Sequence, residues 1–285
     1  LLSNTASIDG GAIFIAGDVA TTIADGCIVD NSGTAVANNP TAKFISATDI
    51  WWGVRNGPAG AGPGIGDSVS AIVTHSDYKV SPPPGCPDRT PDVHLSKTVA
   101  GAPAPGDVVT YTMVLSNSGL GPDPMVEISD VLPIQMYAIE WLQQPAGAKV
   151  ERIYEIQRYA VSWRGTVSTS DWVTFSLRTR YSGGFSEVVA NTALYTASVQ
   201  AGNARATFQA SHLLRIGKGG LGDGTVHSIP AGIDCGAACA APFAPGTVVT
   251  LTATPGDASF TFHWEGDCAA AGDNPVCSLA LDASK

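Results

Sequence analysis

Four cysteines fall in one short stretch near the C-terminal end: Cys235, Cys239, Cys268 and Cys277. Thiols at such spacing can do one of two things, ligate a metal or close disulfides. Cys-x3-Cys followed by Cys-x8-Cys is loose for zinc, whose structural sites favour two tight Cys-x2-4-Cys knuckles. Disulfides are the better expectation, and they imply an oxidising compartment. Closing the 268–277 loop would contribute about 2.5 kcal/mol by restricting the unfolded chain. Such a staple matters for a small domain with a thin core. Cys27 and Cys86 remain, and their pairing with each other is an option that spacing leaves open.

Other residues resemble chemistry without supporting it. Gly217, Gly219 and Gly222 spell GxGxxG, but a dinucleotide site needs that motif between a strand and a helix, and only strand patterns follow. His75, His94, His212, His227 and His263 are far apart, with no HxxxH spacing, and no serine sits in a GxSxG elbow. Trp51 and Trp52 could offer stacking faces for a sugar. Adjacent strand residues point to opposite faces, however, so only one could turn outward; otherwise both plug a core. No catalytic residue, metal ligand or cofactor is expected.

The elements carrying these residues are strands. Gly 32 and Pro 19 in 285 residues, with charged residues at only 14%, give frequent turns and aliphatic cores. Apolar residues do not recur at helical spacing, so the chain is expected to be all-β. The net charge of -10 is spread as about -4, -2 and -4 over three regions. Arg152, Arg158, Arg164, Arg178 and Arg180 alternate with Glu151, Glu155 and Asp171, which suits solvated strand faces. Nucleic acid is not an expected partner, because phosphate neutralisation needs a basic stripe. No apolar run approaches the roughly 18 residues of a membrane span. A chain starting on Leu1 is expected to be a piece of a longer precursor, so the missing export signal says nothing.

Residues 1–80 show bursts of three to five apolar residues, such as Ala12-Ile13-Phe14-Ile15 and Cys27-Ile28-Val29, each followed by Asx or Gly turns. Tight spacing of short strands fits stacked coils of about 20–25 residues. Asn4-Thr5-Ala6-Ser7, Gly10-Gly11-Ala12-Ile13, Trp51-Trp52-Gly53 and Gly62-Pro63-Gly64-Ile65-Gly66-Asp67 resemble the closing coils of bacterial right-handed parallel β-helices. Some of these are polysaccharide lyases. That chemistry needs clustered carboxylates and a base, whereas this region offers only Asp25, Asp30, Lys43 and Arg55. Residues 81–91, with Pro82-Pro83-Pro84, are expected to be a stiff linker.

Residues 92–210 alternate with a period of two: Val109, Tyr111, Met113 and Leu115 share a face, as do Val173, Phe175 and Leu177. Six to eight such strands predict an immunoglobulin-like β-sandwich. His94-Leu95-Ser96-Lys97, Pro105-Gly106-Asp107, Ser116-Asn117-Ser118-Gly119, Ile128-Ser129-Asp130-Val131-Leu132-Pro133 and Asn191-Thr192-Ala193 resemble the "conserved repeat" sandwich of bacterial and archaeal surface proteins. That resemblance implies a spacer or adhesive module. Residues 211–285, with Leu213-Leu214-Arg215-Ile216, Pro245-Gly246-Thr247 and Phe262-His263-Trp264-Glu265-Gly266, are similar to the small cysteine-bearing β-repeat of secreted bacterial proteins, related to internalin B-repeats. The resemblance implies the pairs Cys235–Cys239 and Cys268–Cys277.

The expectation is therefore an extracellular structural protein of a bacterial surface: filament subunit, stalk or adhesin, and not an enzyme. Its expected partners are copies of itself, other surface components or glycans. Both ends look uncapped, consistent either with a fragment or with head-to-tail assembly through open strand edges. The alternative is a carbohydrate-binding appendage of a secreted enzyme, stacking sugars on Trp51, Trp52, Trp163 or Trp172.

Overall fold

The computed structural model describes residues 12–15, 20–38, 44–220, 222–257 and 263–285. Asn4 to Ser7, Gly10, Gly11, Lys43 and Phe262 lie outside the described residues. Among the described residues every regular element but one 3-10 turn is a β-strand, consistent with the turn-rich composition. Its first strands are β1 (Ile13–Ile15), β2 (Thr21–Cys27), β3 (Thr34–Asn38), β4 (Ile45–Trp51), β5 (Pro58–Gly60), β6 (Gly66–Val69) and β7 (Val73–Thr74). They form two parallel sheets, β1-β3-β6-β5 and β2-β4-β7. Ile13 pairs with Val36 and Thr21 with Ile45, so the chain regains each sheet after about two dozen residues. Asp25 and Asp49 occupy matching places in β2 and β4, both at left-handed φ (53° and 54°), a conformation aspartate tolerates better than most residues. Lys79 reaches both carboxylates. Ile28, Val36, Ile45, Ala47, Ile50, Val69 and Trp52 fill the space between the sheets.

Nine longer strands follow: β8 (Val93–Ala100), β9 (Val108–Asn117), β10 (Asp123–Val131), β11 (Met136–Gln143), β12 (Lys149–Ile153), β13 (Arg158–Val167), β14 (Trp172–Tyr181), β15 (Val188–Thr196) and β16 (Ala201–Gln209). They make two antiparallel sheets, β12-β13-β10-β15-β16 and β11-β14-β9-β8. Alternation decides which side chains go in: β9 is buried at every second residue, including Val109, Tyr111, Met113 and Leu115. Inner faces from both sheets share one core, in which Trp163 meets Phe175 edge to face, centroids 5.7 Å apart.

The last strands are β17 (His212–Arg215), β18 (Gly224–Ile229), β19 (Asp234–Cys235), β20 (Ala240–Phe243), β21 (Val248–Pro255) and β22 (Val276–Ala280), with a 3-10 turn at Gly266–Ala271. β17 pairs with β20, and β19-β18-β21-β22 form a sheet. Cys235, Cys268 and Cys277 sit in the core with Leu214, Phe243, Leu251 and Trp264.

Two seams join these regions. At the first, Cys86 is disulfide-bonded to Cys27, and the Trp51 indole donates to the Pro87 carbonyl (2.7 Å). The Arg89 amide donates to the Gly53 carbonyl, and its guanidinium holds Asp30 through two bonds of 3.0 and 2.7 Å. Residues 81–91 are thus strapped onto the first region. Asn56 and Arg55 then donate to the carbonyls of Ser198 and Val199, and Ser198 bonds the buried Asp123. At the second seam Ser211 bonds the carbonyls of Ala102 and Pro103, while the Ser186 hydroxyl meets both His212 Nδ1 (2.6 Å) and Ser284 Oγ (2.9 Å). β8 starts beside the first seam at Val93 and ends beside the second at Ala100, so the seams lie at opposite ends of the sandwich strands. Eight residues at about 3.3 Å each separate them by about 26 Å.

Candidate functional site

All six cysteines are paired: Cys27–Cys86, Cys235–Cys239 and Cys268–Cys277, with Cα separations of 6.0, 4.2 and 5.8 Å. Of the two readings open for Trp51 and Trp52, sugar stacking does not fit, because both are fully buried. Trp51 is capped by the 81–91 strap and Trp52 lies in the core between the parallel sheets. A surface strand would have exposed one of two neighbours; here the strap covers the outer one. Trp163 is buried as well, its indole donating to the Ala146 carbonyl, whereas Trp172 is 68% exposed.

The lyase candidates are not gathered. Asp25 pairs with Lys79, Asp30 with Arg89, and Arg55 points to the sandwich. Among the described residues no group of three or more His, Cys, Asp or Glu could hold a metal ion. Gly217, Gly219 and Gly222 lie between β17 and β18, strand to strand. His94, His227 and His263 are surface partners of Asp92, Asp234 and Asp273. No helix among the described residues is long and apolar enough to cross a membrane.

One constellation stands apart. Alternation directs Val93, Leu95, Lys97 and Val99 of β8 inward, along with Val126, Ile128 and Asp130 of β10, and Val189, Asn191, Ala193 and Tyr195 of β15. Lys97, Asp130 and Asn191 are polar intruders among these apolar faces, and all three are buried. Lys97 Nζ lies 2.5 Å from Asp130 Oδ2, with both side chains wholly shielded from solvent. Asn191 Nδ2 reaches the same oxygen at 3.4 Å. The Tyr111 ring sits beneath the amine, its centroid 5.2 Å from Nζ. Among the described residues Tyr111 Oη, Asp130 Oδ1 and Asn191 Oδ1 have no hydrogen-bond partner.

Burying an ion pair costs several kcal/mol per ion before its attraction is counted, so a sandwich built for stability alone would use apolar side chains here. Burial pulls the Lys97 amine below the ordinary lysine range, opposed by the neighbouring carboxylate. Burial also pushes the Tyr111 phenol up, helped by the Asp130 charge. An amine, a carboxyl group and a carboxamide therefore meet where solvent does not reach. These are the parts of an acyl transfer, and the sequence reading gave them no role. The legible signal was a Lys, an Asp and an Asn each standing where its strand's alternation calls for an apolar residue.

No protein-family model matches the chain, and no curated protein matches it. Solved structures resemble parts of it. The C-terminal domain of the Streptococcus pyogenes antigen I/II-family protein AspA is 13% identical over 41% of this chain and 46% of that one, with a TM-score of 0.30. A BspA C-terminal structure is 16% identical over 42% of this chain, at a TM-score of 0.29. The bacterial hydrophobin BslA is 9% identical over 42% of this chain and 94% of its own, also at 0.29. The chain spans about half the length of the AspA and BspA domains.

Proposed function

We propose that this chain is an extracellular structural protein of a bacterial surface, a filament or stalk subunit or an adhesin, acting as a cross-braced spacer without catalytic turnover. The observation that carries this reading is the placement of the two seams. Neighbouring regions grip opposite ends of the sandwich strands, so tension enters β8 at Val93 and leaves beyond Gln209. Three disulfides on an all-β frame suit an oxidising exterior. In this reading the first region is the end of a parallel β-helix, the second an immunoglobulin-like sandwich, and copies of the chain associate strand to strand at open sheet edges such as β22. Neither nucleic acid nor a lipid bilayer is among the proposed partners.

Electron microscopy of the oxidised protein tests this. Rods that grow end to end as concentration rises support the reading, whereas uniform monomers at high concentration count against assembly. Processing of a pectin-like polymer by the purified chain would overturn the non-catalytic part. A glycan-binding appendage is the second reading, favoured by the exposed Trp172. Binding to a glycan array that is lost in Trp172→Ala would support it.

A further inference from the structure

We propose that Lys97 and Asn191 become joined by an intramolecular amide bond, formed spontaneously in the folded sandwich with Asp130 as the general acid–base. The geometry assigns the roles. Lys97 Nζ and Asn191 Nδ2 converge on one oxygen, Asp130 Oδ2, so the carboxyl group touches both the nucleophile and the leaving group. Among the described residues Asp130 Oδ1 and Asn191 Oδ1 accept no hydrogen bond, and in the proposed reaction a protonated Asp130 donates to the Asn191 carbonyl oxygen. The proposed reaction begins with passage of a proton from Lys97 Nζ to Asp130 Oδ2, 2.5 Å away. The depressed basicity of Lys97 agrees with that transfer.

The steps balance. The neutral Lys97 amine attacks Asn191 Cγ while Asp130 polarises the carbonyl oxygen. A C–N bond forms, and Asp130 relays a proton from Nζ to Nδ2. The Cγ–Nδ2 bond then breaks, ammonia departs, and Asp130 is left as the neutral acid. No oxidant, metal or added reactant is needed. Fixed proximity replaces a bimolecular encounter, and burial of these side chains shields the product from hydrolysis. Asp130 is not itself the acylated partner. A carboxamide has no acidic proton to give and is too weak a base to take one, so Asn191 could not serve a Lys97–Asp130 condensation.

The consequence is structural. Lys97 belongs to β8 of one sheet and Asn191 to β15 of the other, so the bond welds the sheets across the core. It consumes the buried amine and ties the first strand of the sandwich to its next-to-last. The chemistry is independent of whether the chain is a surface protein.

Intact-mass spectrometry of the full chain, reduced and alkylated, tests it directly. The expected mass lies one ammonia, about 17 Da, below that calculated for the sequence with its six cysteines alkylated. Trypsin should release a branched species joining 90–149 to 181–205. Full mass in the unsubstituted chain overturns the proposal, and so does a loss of one water, about 18 Da, with the branch between Lys97 and Asp130. Asp130→Ala and Asn191→Ala are each expected to show the full mass and no branched peptide. Ammonia loss persisting in Asp130→Ala removes Asp130 from the mechanism. The mass of the unsubstituted protein decides the central point even if a variant fails to fold.

Discussion

Asn117 shows how much one side chain can organise. Its amide donates to the carbonyls of Gly121 and Val167, and its oxygen accepts from the amides of Asp92 and Gly119, all from a buried position. The turn it holds passes so close to the strap that a Cβ on Gly121 would lie 2.2 Å from the Arg89 carbonyl oxygen. Asn117→Ala orphans four backbone groups and is expected to cost about 3 kcal/mol, read from chemical denaturation. Asp30 makes a gentler prediction. The Arg89 guanidinium beside it holds its carboxyl below the ordinary range. A depressed acid stabilises the fold above its unfolded pKa, about 4, and that gain is lost as pH falls through the folded value. Faster amide exchange at Arg89 is expected below about pH 4, and Asp30→Asn should remove that acid-dependent change. Both side chains are partly exposed, so the effect is at most about 1 kcal/mol. Little at this scale was legible in the sequence. Ser116-Asn117-Ser118-Gly119 announced a turn but not the four bonds of Asn117, because its partners come from as far away as Asp92 and Val167. Trp51 and Trp52 looked like candidate platforms, since nothing local tells that Pro87 returns to cap an indole.

Elements were easier to foresee, because their signal is local. The period of two in Val109, Tyr111, Met113 and Leu115 specifies an inward face with no knowledge of the partner strand. The short bursts of the first region specify strands too, but their parallel pairing depends on a return about two dozen residues later, which no single burst encodes. The cysteines show the same contrast. The 4- and 9-residue separations of the C-terminal pairs keep those links within one small domain, whereas Cys27–Cys86 spans 59 residues and required the strap. Loop-closure entropy ranks the three at about 4 kcal/mol for Cys27–Cys86, 2.5 for Cys268–Cys277 and 2 for Cys235–Cys239. Paired Cys→Ser substitutions should lower thermal stability in that order, each within its own region. Trp52→Ala, which empties the core between the parallel sheets, is expected to cost about 3–5 kcal/mol there.

At the scale of the molecule, the seams make the account more than a row of domains. Polar contacts such as Asn56 to Ser198 and Ser211 to Pro103 are individually modest, yet each sits where one region ends and the next begins. Composition suggested modules and a Pro-rich join; it could not convey that Cys86, Pro87 and Arg89 fold back on the first strands. Pulling a single molecule by its two ends, in oxidising and then reducing buffer, tests the central claim that the chain bears load as one braced unit. In oxidising buffer the first region should stay seated on the sandwich, and the loop between Cys27 and Cys86 should add no length. Reduction should release that loop, adding about 200 Å for its 59 residues. A first region that swings free of the sandwich in oxidising buffer, at forces too small to unfold any domain, would contradict the account.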